Sequence, residues 1–244
     1  MTKPLFIVTG GSRGIGEAIA QSAAQQGYQV LLTYAGQAEA AASVVAAIRA
    51  DGGEAEAIQA DTGNPDDVAR LFARADALGR LAVLCYNGGI TGGVGLLADQ
   101  DDATLAKVIE VNLTGALICA REAVRRMSTR LGGEGGSIIL LSSRASQLGA
   151  PAQHLWYAAS KGGIDSMVLG LSKEVAAEGI RVNGVSPGPI ATDIHAPGHL
   201  DRIVDGLPMK RVGQPQEVAD VVMYLASERA SYVSGTSILV AGAR

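Results

Sequence analysis

Strict alternation of short apolar runs with alanine-rich segments restricts how this chain can fold more than any other feature. The runs LFIVT (5–9), YQVLLTY (28–34), EAEAIQA (54–60), LAVLCYN (81–87), SIILLS (137–142), IRVNGVS (180–186) and TSILVAG (236–242) read as strands. Between them, apolar residues recur at helical spacing near 14–26, 38–51, 65–78, 101–131, 152–178 and 215–227. The strongest runs are continuously apolar rather than alternating, as strands covered on both faces of a parallel sheet must be. Such a β–α succession predicts an α/β fold with a doubly wound, seven-stranded parallel sheet, right-handed crossovers and helices on both faces. No break in composition divides residues 1–244, which predicts a single domain. The Pro- and Gly-rich segment 187–213 lacks a period and reads as a substrate-binding loop or lid.

Composition narrows the function classes. A chain of 244 residues, 48% of them hydrophobic, is long enough for a sizeable core. The net charge of −4 with scattered arginines argues against nucleic acid and anionic membrane surfaces as partners. The most apolar region, 81–98, is broken by Asn87 and a cluster of glycines, so it does not read as a membrane span. No secretory signal pattern is recognisable at Met1–Pro4. Cys85 and Cys119 sit in apolar runs and read as small buried hydrophobes in a reducing compartment. The expectation is a soluble, cytoplasmic globular domain.

The first strand runs into TGGSRGIG (9–16), which opens the first helix. At that place in an open α/β sheet a dinucleotide pyrophosphate sits against unpaired N–H groups of the helix N-terminus, the Rossmann arrangement. Gly10, Gly14 and Gly16 would allow the tight turn and the close approach of backbone to phosphate. The same letters spell G-x-S-x-G from Gly10 to Gly14, the pattern of a hydrolase nucleophile elbow. Against a hydrolase stand the position after the first strand, the absence of an oxyanion-hole glycine motif upstream, and Arg13 beside Ser12. Strand 2 ends LLTYAGQ, with no acid before Glu39 to take up a ribose hydroxyl, while Arg13 matches a 2′-phosphate. NADP(H) is therefore expected over NAD(H). Further polar residues fall at C-terminal strand ends, where ligands bind in this architecture: Asp61 and Thr62, Asn87-Gly88-Gly89, Ser142-Ser143, and SPGPIAT (186–192).

Within YAASK, Tyr157 and Lys161 lie one helical turn apart, a phenol beside an ammonium. By itself the pair is equally a surface contact. In order along the chain, however, TGGSRGIG, Asp61, NGG (87–89), VNL (111–113), LLSS (140–143), YAASK (157–161) and PGPIAT (187–192) resemble the short-chain dehydrogenase/reductase family over essentially the whole length. The resemblance implies a catalytic tetrad of Asn112, Ser143, Tyr157 and Lys161. It also implies that Thr192 holds the nicotinamide carboxamide, that Asp61 meets the adenine, that Asn87 lines the cofactor groove, and that the protein is a homotetramer. The cofactor groove is expected to comprise Gly10, Ser12, Arg13, Gly14, Ile15, Gly16, Tyr34, Asp61, Thr62, Asn87, Gly88, Gly89, Pro187, Gly188, Ile190 and Thr192, with Tyr157 and Lys161. Two departures stand out. Members of the family commonly read Asn-Asn-Ala-Gly where this chain has Tyr86-Asn87-Gly88-Gly89, and VAGAR at the end lacks an acid and glycine pair often found there.

An ammonium near 5 Å at an effective dielectric of about 20 favours phenolate by roughly 3 kcal/mol, which would lower the Tyr157 pKa by about two. The resemblance also implies that Lys161 bonds the nicotinamide ribose, and Ser143 would steady the substrate oxygen. Asn112 reads either as anchor of a relay water leading to Lys161 or as a helix-interior amide satisfying local backbone. His154, Trp156 and Ile194 are expected at the substrate pocket, with packing at a subunit interface the rival role for Trp156. Ala158, Ala159, Gly162 and Gly163 would permit close packing of a neighbouring helix. His195 and His199 are separated by Pro197-Gly198, which argues against a metal site, and none is expected. The activity expected is hydride transfer between NADP(H) and a small carbonyl or secondary alcohol. Alternatives are 3-oxoacyl-acyl-carrier-protein reductase, for which Arg125, Arg126 and Arg130 could form a docking patch, a glucose-type sugar dehydrogenase, and a non-catalytic NADP(H)-binding regulator.

Overall fold

A computed structural model of the chain describes residues 3–193 and 198–244. Ile194, His195 and the side chain of His199, all singled out above, lie outside the described residues. The seven strands β1 (Leu5–Val8), β2 (Gln29–Tyr34), β3 (Glu54–Gln59), β4 (Leu81–Tyr86), β5 (Gly136–Leu141), β6 (Ile180–Pro187) and β7 (Ser237–Val240) form one sheet in the order β3-β2-β1-β4-β5-β6-β7. Every pairing is parallel. The chain thus winds outward from β1 to β3 and then, from β4, in the opposite direction, which puts the switch point between β1 and β4.

Strand β1 shows why the apolar runs are continuous. Phe6 and Val8 join a core with α1 (Gly14–Gln25), α2 (Ala38–Ala50) and α9 (Pro215–Ala226). Leu5 and Ile7 join the opposite core with α3 (Pro65–Leu78), α5 (Gly115–Met127) and α7 (Leu155–Val175). Successive side chains point to opposite faces, and both faces are covered.

The helix expected over 101–131 is interrupted. It comprises α4 (Asp102–Ile109), a widened π-turn over Glu110–Thr114, and α5, with Asn112 inside the turn. By length and apolarity Asp102–Met127 would suffice to cross a membrane, but α5 lays Ala116, Cys119, Ala120, Ala123 and Met127 on the sheet, as a core helix does. The short helices α6 (Ala145–Leu148) and α8 (His199–Ile203) fall in segments without a sequence period. Helix α7 begins three residues later than expected, because Ala150 and Ala152 just before it adopt left-handed backbone, with φ of 42° and 56°.

Candidate active site

The ends of β1 and β4 are cross-stitched at the switch point. Asn87 Nδ2 donates to the main-chain oxygens of Thr9 (3.0 Å) and Gly10 (3.1 Å). Thr9 Oγ1 in return accepts the N–H groups of Asn87 (3.0 Å) and Gly88 (2.9 Å). Asn87 therefore holds the glycine turn in place through its side chain. Gly10 has φ of 65° and Gly14 of 56°, a region that suits glycine. A Cβ on Gly16 would lie 2.1 Å from the Gly10 oxygen, so this glycine is required for the turn to fold back on itself. Helix α1 starts with no side-chain cap from Arg13, which leaves its first-turn N–H groups facing the loop as anion donors. Ser12 is buried within the turn, and Ile15 packs on the core beneath it.

Around this turn, Tyr34 is half-buried at the end of β2 and Arg13 is exposed. No acidic partner of Arg13 is present among the described residues, and none follows β2 before Glu39. Asp61 is fixed on both oxygens: Oδ1 accepts the Gly63 N–H (2.9 Å) and Oδ2 accepts Lys107 Nζ (2.8 Å). From the other side, the Thr192 methyl sits 3.1 Å from where a Gly14 Cβ would be, so the loop after β6 closes onto the glycine turn. Gly188 N–H bonds the Val240 oxygen (2.9 Å), Pro187 accepts the Arg144 N–H (2.9 Å), and buried Ile190 bridges to Gly213.

The Thr62 side chain turns into the interior, so any contact of this residue with the groove would be through its backbone. The residue is buried, and its hydroxyl bonds that of Tyr86 at 2.9 Å.

Helix α7 brings Tyr157 and Lys161 beneath the ends of β4 and β5. Lys161 is only 3% exposed and donates from Nζ to the Leu141 oxygen (2.6 Å). Its Nζ lies 5.7 Å from the Tyr157 ring centre, and a Cβ on Gly89 would come within 3.6 Å of it. Burial pushes the Lys161 pKa down to about 8, with Asp165, one turn on, opposing the shift. The acidification expected at Tyr157 is not found. Burial raises its phenol above the ordinary value, and only the nearby Ser143 hydroxyl pulls the other way. Removal from water disfavours the charged form of both groups.

The two serines at the end of β5 divide as their register dictates. Buried Ser142 donates to the Lys161 main-chain oxygen (3.1 Å), pinning α7 to the strand. Ser143 Oγ accepts the Ala145 N–H (3.1 Å), which leaves its own proton to be directed at the Tyr157 hydroxyl. Asn112 is buried, and its side chain clamps three elements. Oδ1 accepts the Ile90 N–H (2.8 Å), while Nδ2 donates to the Ile90 oxygen (2.9 Å) and to Ser160 Oγ (3.0 Å). Ser160, not singled out from sequence, donates in turn to the Tyr157 main-chain oxygen (2.7 Å). Its signal was only a small polar residue on the inner face of the YAASK helix.

Trp156 does not reach the surface among the described residues. It is buried, and Nε1 donates to the Thr91 oxygen (2.7 Å). His154 Nδ1 bonds the Gly93 oxygen (2.7 Å), and the Gly95 N–H bonds the Gln153 oxygen (3.0 Å). Together they sew the loop after β4 to the approach of α7, with the His154 ring edge-on to Tyr157 at 6.5 Å. The small residues of α7 also divide. Gly163 meets Leu113 and Ala158 is buried, whereas Ala159 is exposed and nothing lies within 4 Å of a Cβ on Gly162.

Known proteins resemble the chain along nearly its whole length. The family profile described as Enoyl-(Acyl carrier protein) reductase matches residues 10–242. The chain is 44% identical to the uncharacterized oxidoreductase YgfF of Escherichia coli over 98% of this chain and 99% of that protein. It is 39% identical to a 3-oxoacyl-[acyl-carrier-protein] reductase of Synechocystis, over 99% and 97%. Among solved structures, a short chain dehydrogenase from Burkholderia cenocepacia in complex with NADP superposes with a TM-score of 0.92 at 33% identity, covering 99% of this chain and 97% of that one.

Proposed function

The chain belongs to the short-chain dehydrogenase/reductase family, and from that premise we propose that it moves a hydride between NADP(H) and a small carbonyl or secondary alcohol, with Tyr157 as general acid and base. The observation that carries the reading is the convergence of the Tyr157 phenol, the Ser143 hydroxyl and the buried Lys161 ammonium at the ends of β4 and β5. The uncapped N-terminus of α1 and the glycine backbone around it fit a dinucleotide pyrophosphate, and the exposed, unpaired Arg13 fits a 2′-phosphate. Bound there, the nicotinamide supplies or accepts the hydride.

The side chains then have distinct work. Ser143 donates its proton to the carbonyl oxygen and holds it against the reacting face. Tyr157 gives its proton to the oxygen as negative charge develops; burial keeps the phenol protonated at neutral pH, which suits reduction. Lys161 remains mostly charged at pH 7 and steadies the phenolate left behind. Asn112 and Ser160 keep α7 and the loop after β4 in register around the pair.

The acyl-carrier-protein reading has support from the Synechocystis relative, but the basic patch it calls for is largely neutralised. Arg125 pairs with Glu122, Arg126 with Asp76 and Glu122, and Arg130 with Glu178. A small substrate approaching past His154 fits better. The exposed Leu117 and Leu169, on α5 and α7, support self-association through these helices, which sedimentation would test.

NADPH titration by fluorescence, followed by turnover of ketones, ketoesters, sugars and acyl thioesters, tests the reading. Tyr157→Phe is expected to abolish turnover while leaving NADPH binding within a few-fold. Near-wild-type kcat in that variant would refute the assignment, and NADPH binding without turnover of any carbonyl by the unaltered protein would favour a regulator.

A further inference from the structure

The π-turn that carries Asn112 has a feature that its own residues do not explain. In an α-helix the Val111 carbonyl would take the N–H of Gly115, four residues on. Here the Gly115 N–H goes to the Glu110 oxygen instead. The Val111 oxygen receives a donor from outside the helix, the hydroxyl of Tyr86 at 2.5 Å. Tyr86 is the last residue of β4 and is wholly buried. A phenol has one proton, so with that proton on Val111 the 2.9 Å contact to Thr62 runs the other way, Thr62 donating to Tyr86. The result is a directed chain from the turn after β3, through the end of β4, into the π-turn. Burial holds the Tyr86 phenol far above its ordinary value, so it remains a donor at any accessible pH.

Packing is matched to this hydroxyl. A Cβ on Gly115 would stand 2.6 Å from Tyr86 Oη and 2.5 Å from the Thr62 oxygen, so glycine at 115 makes room for the tyrosine. The residue after Tyr86 is Asn87, which grips the glycine turn, and the residue after Val111 is Asn112, which grips Ile90 and Ser160.

We propose that Tyr86 is a positioning residue for the hydride-transfer site: its hydroxyl locks the π-turn to the end of β4, so that Asn112 and the cofactor-facing loop 87–90 move as one body. The inference rests on the function proposed above. It explains Tyr86, Thr62 and Gly115 together, where the family commonly places an asparagine at the first of these positions.

Tyr86→Phe tests it, since the ring stays and only the hydroxyl is lost. Steady-state kinetics with NADPH and an accepted carbonyl, well below the melting temperature, should show kcat lowered about tenfold, with less than twofold change in the KM for NADPH. The solvent deuterium isotope effect on kcat should rise as proton delivery becomes limiting. A lowered Tm with kcat and isotope effect unchanged would make Tyr86 a packing residue only and overturn the proposal. A second measurement needs no variant: in the unaltered protein, amide exchange at 110–115 should slow together with that at 87–90 when NADPH binds. Protection of 87–90 alone would overturn it equally. If the unaltered protein binds NADPH but reduces no carbonyl, the functional reading fails, and the exchange experiment still decides whether the two segments are locked.

Discussion

Replacing Lys161 with methionine should make the protein more stable and inactive. At neutral pH the folded chain holds an ammonium almost wholly out of water, with its pKa lowered from 10.5 to about 8. That difference corresponds to about 3 kcal/mol of destabilisation at pH 7. Methionine fills a similar volume without the charge, but it leaves the Leu141 oxygen without its donor, a loss of about 1–2 kcal/mol. The variant should therefore gain about 1–2 kcal/mol at pH 7.

The sign follows from proton binding. Below pH 8 both folded and unfolded wild type hold the Lys161 proton, and the whole penalty is present. Between pH 8 and 10.5 the unfolded chain keeps the proton while the folded one releases it, so wild type gains on the variant as pH rises. Urea unfolding of both proteins in parallel should show the gap moving by about 2 kcal/mol toward wild type between pH 7 and 9.5. Other titrating groups are shared and drop out of the difference. A gap that stays constant over this range, or a variant less stable than wild type at pH 7, would refute the claim that a charged lysine is held here against a desolvation penalty.

Arg13→Ala should remove a charge-assisted contact to a 2′-phosphate, worth about 1.5–3 kcal/mol, and raise the KM for NADPH by roughly ten- to a hundredfold while sparing NADH. Equal loss for both cofactors would count against NADP(H) preference. Gly16→Ala should lose most folded protein in circular dichroism, because its Cβ would meet the Gly10 oxygen at 2.1 Å and Asn87 Nδ2 at 2.6 Å. Gly88→Ala, by contrast, brings its Cβ only to 3.3 Å from Thr9 Oγ1, and its backbone is not left-handed, so stability should stay within about 1 kcal/mol of wild type.

The sheet could be read from sequence because its signal is local. LFIVT and SIILLS are continuous apolar runs for one reason, burial on both faces, and no distant residue changes that. The glycine turn was legible too, since Gly10, Gly14 and Gly16 answer to backbone geometry at the site itself. What escaped depends on partners far along the chain. The break in the helix over 101–131 involves a hydroxyl 25 residues before Val111, and nothing in EVNLT announces it. Thr62 stands at a strand end, which is legible, but the bond of its hydroxyl to Tyr86 in the interior is not. Lys161 bonds a main-chain oxygen, which has no letter in the sequence at all.

The one error of sign has a more general cause. Treating Tyr157 and Lys161 as two charges at an assumed dielectric makes each favour the ionisation of the other. Burial acts first and in the opposite sense on both, raising the phenol and lowering the ammonium, so that without cofactor each is biased toward its neutral form. On the function proposed, a site poised in this way would hold Tyr157 as an acid until positive charge arrives beside it. The oxidised nicotinamide carries such a charge and the reduced one does not, so the affinity of Tyr157 for its proton should follow the redox state of the bound cofactor. The phenol would then be a proton donor with NADPH bound and a far better acceptor with NADP⁺. Spacing alone shows that Tyr157 and Lys161 can meet; only their burial shows which protonation state each holds before the cofactor binds.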